Sequence, residues 1–393
     1  LKSYVSQDYI YDISELVKES KIVNLDDMWD SLKQRYSFDQ NTFQYSENAP
    51  IWGLSKDLGV SAIYYNADAF QKAGITVISV PESEVGAESE KHGFYQKDGK
   101  AYFNNRIAMT WEELVEVSKL LTRGYNENSP TLYGYYDERP LGYLWSVGGD
   151  TVRYVESGDP AYNGGYWEWT LGDTEAHTLN GKTLPSNREA INFWTSLSTG
   201  NNEKYGLTKP VSPYPSIVSD QYSAFTDQQA AMLVLPRYAV SAFRRDCDFN
   251  WDVAPVVKHA DGVQAGYTTS MCYSLSVNSN KQKYAFKFME YMSGPEGQAE
   301  LAKHGFNVPN QISVTNSDAF LKSTEPPFNN AVFAEGAVYQ RVGDWTYLPD
   351  TAWSDAYEDA MNDVRNGRKT IDSLISDFES TVNTYLKRYT AKK

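Results

Sequence analysis

Cysteine is nearly absent: Cys247 and Cys272 stand alone in 393 residues. Two thiols make neither a disulfide scaffold nor a zinc cluster. They read as unpaired, one on a strand and one in a loop, with a single bridge between them as the alternative. Histidine is almost as scarce. His92, His177, His259 and His304 are far apart and no H-E-x-x-H occurs, so the usual zinc-hydrolase ligand set is missing. Cations are outnumbered: 36 Lys plus Arg against 51 Asp plus Glu leave a net charge of −15. Such a field repels phosphate backbones and anionic lipid, which argues against nucleic acid and membrane surfaces as partners. No apolar run reaches the roughly 18 residues that a bilayer requires. The sequence opens at Leu1 with no Met, basic segment or apolar segment. Any targeting signal has been removed or lies outside the given sequence.

Catalytic signatures are equally thin. No G-x-S-x-G nucleophile elbow occurs, and no G-x-G-x-x-G opens a helix after a strand. Asn180-Gly181-Lys182-Thr183 ends like a phosphate loop, but Ala176 stands where the first glycine belongs, and the segment reads as a turn between strands. No internal repeat at solenoid period is visible. With 51 carboxylates a glycosidase pair cannot be dismissed by counting, although nothing singles one out.

Aromatic rings are abundant: 16 Phe, 10 Trp and 30 Tyr, or 14% of the chain. Tyrosine combines an apolar face with a polar handle, which suits a surface that is half apolar and half wet. The length predicts two or three domains, or two large lobes. Helix and strand signals alternate throughout, which argues for an α/β class. Thr110 and Glu113 form a capping box ahead of 111–123, with Leu114, Val117, Leu120 and Leu121 on one face and Gly124 as the stop. Ser186 and Glu189 open a second such helix, which Gly200 closes. Gly294-Pro295 starts another that ends at Gly305. Two more fill the tail, one over 352–366 and one capped by Thr370. Strands are expected at 62–65, 230–235, 253–257 and 272–277. Asp98-Gly99 between Phe94–Lys97 and Lys100–Phe103 is a two-residue type I′ hairpin. It sits in a polar stretch, 76–109, that reads as a surface insertion.

Several stretches resemble bacterial extracellular solute-binding proteins, the sugar-binding components of ABC importers. Ile63-Tyr64-Tyr65-Asn66-Ala67-Asp68-Ala69-Phe70-Gln71-Lys72-Ala73-Gly74-Ile75 is similar to the family's YN-x-D-x-F-x-K-x-GI segment. Thr110-Trp111-Glu112-Glu113-Leu114 follows, then Gly148-Gly149-Asp150, Phe225–Met232, Ser274–Lys281 and finally Trp353 with Gly367-Arg368-Lys369-Thr370. Each piece is generic; their common order over nearly the whole chain is not. The absence of any N-x-Ser/Thr sequon suits a bacterial exported protein. Two departures stand out. The insertion at 76–109 is longer than the family pattern needs, and the first strands of the family's N-terminal lobe have no counterpart ahead of Asp8–Leu16.

The resemblance implies a two-lobed α/β periplasmic-binding-protein fold with the ligand in a cleft between lobes. It divides the chain into an N-terminal lobe (1–58 plus 270–316) and a C-terminal lobe (62–265 plus 320–393), with crossings near 57–62, 264–270 and 315–320. It implies no catalysis and no cofactor or metal. The expected partners are a carbohydrate and the importer's permease subunits. The protein is then an exported monomer, lipid-anchored at the cell surface or periplasmic. Matching positions to the family's cleft selects Lys56, Asp57, Tyr136, Arg139, Trp145, Arg237, Tyr238, Gly266, Tyr267 and Trp345. Tyr238 leads, at the place of a sugar-stacking aromatic. Gly266-Tyr267 is expected as a turn at the hinge. The readings kept beside this one are another solute in the same fold, and a secreted glycan-processing enzyme.

Overall fold

Leu54–Ser55 and Gly59–Asn66 are two pieces of one extended run, and they belong to different parts of the computed structural model, which describes residues 1–392. All eight residues of Gly59–Asn66 are buried, as a strand covered on both faces requires. It is the centre of a six-stranded mixed sheet. Ala230–Pro236 pairs antiparallel along one edge and Tyr133–Tyr136 extends that side in parallel. On the other edge Gly266–Thr269 and Trp251–Ala254 divide the strand between them, and Gln340–Val342 lies outermost.

The two-residue period of a strand sends alternate side chains to two cores. Ile63, Tyr65, Met232 and Val234 face one, which is covered by the helices Trp111–Leu120, Asn187–Thr199, Ala352–Arg365 and Ile371–Arg388. Ala62, Tyr64, Leu233 and Leu235 face the other, beneath Val240–Asp246 and Ala331–Gly336. Both capping boxes form as the sequence requires. Gly200, Gly305 and Gly367 take positive φ at helix ends. Gly124 does not: that helix stops at Leu120, where the Thr122 hydroxyl donates to the Ser118 carbonyl at 2.7 Å.

A smaller unit is built around the antiparallel pair Leu54–Ser55 and Cys272–Tyr273. The helices Ser14–Glu19 and Gln282–Ser293 close on it over a core of Ile13, Val17, Leu54, Leu275, Phe286 and Met289. The chain passes between the units at 56–58 and again at 270–271. These segments run side by side: the Lys56 N–H donates to the Met271 carbonyl at 2.8 Å and the Ser270 hydroxyl to the Asp57 carbonyl at 2.5 Å. The strands expected at 253–257 and 272–277 are shorter, Trp251–Ala254 and Cys272–Tyr273. Cys247 and Cys272 are both free thiols.

The stretch 76–109 is not the surface appendage that its polarity suggests. Its hairpin has the expected turn, with φ of 51° at Asp98 and 72° at Gly99. However, Ile75–Ile78 pairs in parallel with Lys100–Asn104, and Phe94 and Phe103 lie opposite each other in register and are buried. Phe103 packs on Phe70 and Tyr65, with ring centroids 4.7 and 5.1 Å apart. The Glu113 carboxylate also accepts from the Gly93 and Phe94 N–H groups at 3.1 and 3.2 Å. One apolar face hidden in a polar segment welds it to the core.

Candidate functional site

Pro236 ends the sheet strand and the chain turns at once into a single 3₁₀ turn, Arg237–Ala239. The abrupt turn divides the two side chains. Arg237 goes inward: it is 3% exposed, its guanidinium donates to the Gly305 carbonyl (3.0 Å) and Asn330 Oδ1 (3.3 Å), and it stacks over Phe320 at 4.7 Å. Tyr238 points outward and is 36% exposed. Burial, with help from neighbouring Tyr222, pushes its phenol up to about 12.

A hollow of about 270 Å³ opens beside Tyr238. The large unit contributes Arg237, Tyr238 and Ser241. The crossings contribute Lys56, Asp57 and Met271, and the segment 298–309 adds Leu301, Phe306 and Asn307. Its wall therefore gathers chain segments far apart in sequence beside the crossings, a concave setting that suits a small molecule. Burial raises the Asp57 carboxyl, opposed by the Met271 N–H and the Asn307 side chain.

A second hollow of about 250 Å³ lies wholly on the large unit, lined by Tyr136, Glu138, Arg139, Asp220, Glu358 and Arg365 among others. Arg139 is fixed on two sides. It donates to Glu358 at 2.8 Å and lies 4.2 Å above the Trp345 ring, which meets Tyr267 edge-on at 5.6 Å. Burial raises Glu358 and Arg139 opposes it. Glu138 and Arg139 also act electrostatically on the Tyr238 hydroxyl, in opposite senses. Behind them, burial raises Asp137 to about 7 although the Arg139 N–H donates to it at 3.1 Å.

A larger groove, about 1010 Å³, runs between the Asp26–Tyr45 segment and Tyr339–Tyr347. None of the sequence-selected residues lines it. Three of its cations are already engaged: Lys2 with the Phe43 and Tyr347 carbonyls (2.9 and 2.7 Å), Lys33 with Asp30 (2.6 Å) and Arg35 with the Thr268 carbonyl (3.3 Å).

The ten selected positions thus separate. Lys56, Asp57, Arg237 and Tyr238 line the first hollow, and Tyr136 and Arg139 the second. Trp345 backs Arg139. Trp145 is fully buried with Leu141, Ala265 and Tyr267. Gly266 and Tyr267 are not a turn: both lie in the strand Gly266–Thr269, because Tyr267 packs inward and a side chain at 266 meets Gln340. Residue patterns missed Glu138, Asp220, Glu358 and Arg365. Glu358, Met361, Asn362 and Arg365 follow the i, i+3, i+4, i+7 spacing of one helix face, on a helix where no residue pattern marked a functional residue. Among the described residues no cluster of His, Cys, Asp or Glu could hold a metal, and no helix is long and apolar enough to cross a membrane.

The sequence profile of a family described as bacterial extracellular solute-binding protein matches residues 2–327. Solved structures agree on the fold. An ABC substrate-binding protein from Listeria monocytogenes in complex with cycloalternan is 19% identical with a TM-score of 0.68, covering 98% of this chain and 82% of that one. The sugar-binding protein MalE from Xanthomonas citri is 15% identical with a TM-score of 0.62, covering 98% and 81%. UgpB from Mycobacterium tuberculosis in complex with glycerophosphocholine is 15% identical with a TM-score of 0.64, covering 97% and 80%. The fold is that of the two-lobed periplasmic binding proteins.

Proposed function

The chain belongs to the bacterial extracellular solute-binding proteins, an exported, binding rather than catalytic family, and on that footing we propose that it captures a sugar or oligosaccharide in the groove around Tyr238. The observation that supports this reading is that the first hollow gathers Lys56, Asp57 and Met271 of the crossings with Arg237 and Tyr238 at the end of the central sheet. A ligand held there gains contacts with both sides only when they approach, which favours a closed state through hinge motion. The closed form is then presented to the permease subunits of an ABC importer, and the ligand is released chemically unchanged. Lipid anchoring at the cell surface and a monomeric state complete the reading.

Sugar rings offer C–H faces to an aromatic and hydroxyls to planar polar groups. Tyr238 supplies the first, and Asp57, Asn307, Glu138 and Arg139 the second. A phosphate ester such as the one in the mycobacterial structure is the weaker fit, because Glu138, Asp220 and Glu358 outnumber the cations of the second hollow.

A thermal-shift screen against mono- and oligosaccharides, followed by recovery of the sugar, tests the reading. A saturable upshift with intact sugar is expected. Tyr238→Ala then costs roughly 2 kcal/mol, about thirty-fold in affinity, and Tyr238→Phe much less if stacking dominates. Normal affinity with a lowered melting temperature for Tyr238→Ala makes the residue structural and removes the assignment.

A further inference from the structure

Beneath the second hollow lies a buried guanidinium that no carboxylate contacts directly, although the Asp137 and Glu138 charges act on it. Arg365 ends the helix Ala352–Arg365 and is 2% exposed. It lies 4.7 Å from the Trp194 ring centroid and 5.5 Å from that of Tyr136. Its Nε is buried with no hydrogen-bond partner. Among the described residues it makes no ion pair, and the nearby Glu358 is taken by Arg139 at 2.8 Å. The acceptor closest to hand is the Tyr136 hydroxyl, whose own proton goes to Glu138 Oε1 at 3.2 Å. A buried guanidinium that no carboxylate contacts directly is costly. Stacking on rings offsets only part of that cost. A guanidinium in the hollow wall whose Nε has no acceptor leaves a donor for a ligand oxygen.

The rest of the wall has the opposite character. Glu138, Asp220 and Glu358 are acceptors in their ionised forms. An acidic ligand group accepts from Arg365 but meets carboxylates around it. An amino group donates to the carboxylates but meets Arg365. A hydroxyl both accepts and donates, and satisfies both parts of the wall. We propose that the second hollow takes the hydroxyl edge of an uncharged sugar residue, with Arg365 donating to a ligand oxygen and Glu138 accepting a ligand hydroxyl proton. Arg365 is thus a specificity residue that sets the site against amino sugars, and Glu138 one that sets it against acidic sugars. This rests on the carbohydrate reading of the groove.

Calorimetric titration of the full chain at neutral pH provides the test. The probes are the neutral trisaccharides maltotriose, cellotriose and xylotriose, the acidic trigalacturonate and the glucosamine trimer. At least one neutral probe binds saturably, and the two charged probes bind at least about ten-fold more weakly. Arg365→Met weakens the neutral ligand by about ten-fold or more, while the unliganded protein melts at the same or a higher temperature. Glu138→Gln, an exposed position that folding tolerates, narrows the discrimination against trigalacturonate. The inference is overturned, with the carbohydrate reading intact, if a charged probe binds as tightly as the neutral one or if Arg365→Met binds as the parent does. Should Arg365→Met fail to fold, unchanged selectivity in Glu138→Gln overturns it. If no probe of any charge binds, the carbohydrate reading falls and this inference falls with it.

Discussion

In the large unit every residue of Gly59–Asn66 is buried, and each face of its sheet has a broad core. In the small unit the helix Gln282–Ser293 buries Phe286 and Met289 but turns Tyr284, Phe288 and Tyr291 outward, at 80%, 59% and 45% exposure. The contrast is one of closure. The large unit buries most of its apolar side chains in two broad cores, while Val338 and Phe328 stay exposed at 74% and 60%. The small unit is a two-stranded pair with helices on it, and two strands alone are marginal. Local stability follows buried apolar contact, so the crossings at 56–58 and 270–271 join a stiff body to a softer one.

The largest expected effect breaks the large core at its least obvious point. Phe103→Ala removes a fully buried ring that touches Phe70 and Tyr65, and it costs about 3–5 kcal/mol. Denaturant unfolding measures this. A loss below about 1 kcal/mol would return 76–109 to the status of a surface appendage.

The next effect is a titration that only the large unit should feel. Asp137 is raised to about 7 by burial, and Asp150 to about 6 by burial. Their folded values lie above the unfolded value near 3.9. Between those values the native state holds more protons than the unfolded chain, so their contribution is fully present below about pH 4 and is lost as pH rises through 6 to 7. Asp137→Asn, which keeps an acceptor for the Arg139 N–H, removes that dependence. The stability difference between variant and parent should grow with pH over this window, with a slope approaching 1.4 kcal/mol per pH unit as its ceiling. A flat difference shows that the carboxyl is ionised at little cost.

Much of the fold was legible because its signals are local. A capping box spans four positions, so Thr110 with Glu113 and Ser186 with Glu189 could be read directly, and both form. The Asp98-Gly99 turn was legible for the same reason. What failed depended on the far side of a contact. Phe94 and Phe103 looked peripheral because they sit in a polar stretch, whereas in space they pair with each other and Phe103 meets Phe70 and Tyr65. Of the groove, Tyr238 could be placed from the end of its strand, and the family pattern reached Lys56, Asp57 and Arg139. Nothing local announces that Arg139 meets Glu358, 219 residues on, or that Arg365 ends a helix without an acceptor. A stripe at i, i+4, i+7 looks the same whether it faces a core or a hollow.

The smallest effect sharpens the comparison most. Tyr284 and Tyr64 are the same residue type in the two units. Tyr64 is fully buried, 4.9 Å edge-on from Phe243 and 5.8 Å from Trp251. Tyr284 is 80% exposed on the helix Gln282–Ser293. Its phenol already meets water in the folded state, so replacing it forfeits little transfer free energy, and substitutions at such surfaces stay within about 0.5 kcal/mol. Tyr284→Ser should leave both the unfolding midpoint and the ligand affinity unchanged, as measured by urea titration and calorimetry. A loss above about 1 kcal/mol would place Tyr284 against a partner surface in solution. The small unit would then be as closed as the large one, and the difference in stiffness across the groove would disappear.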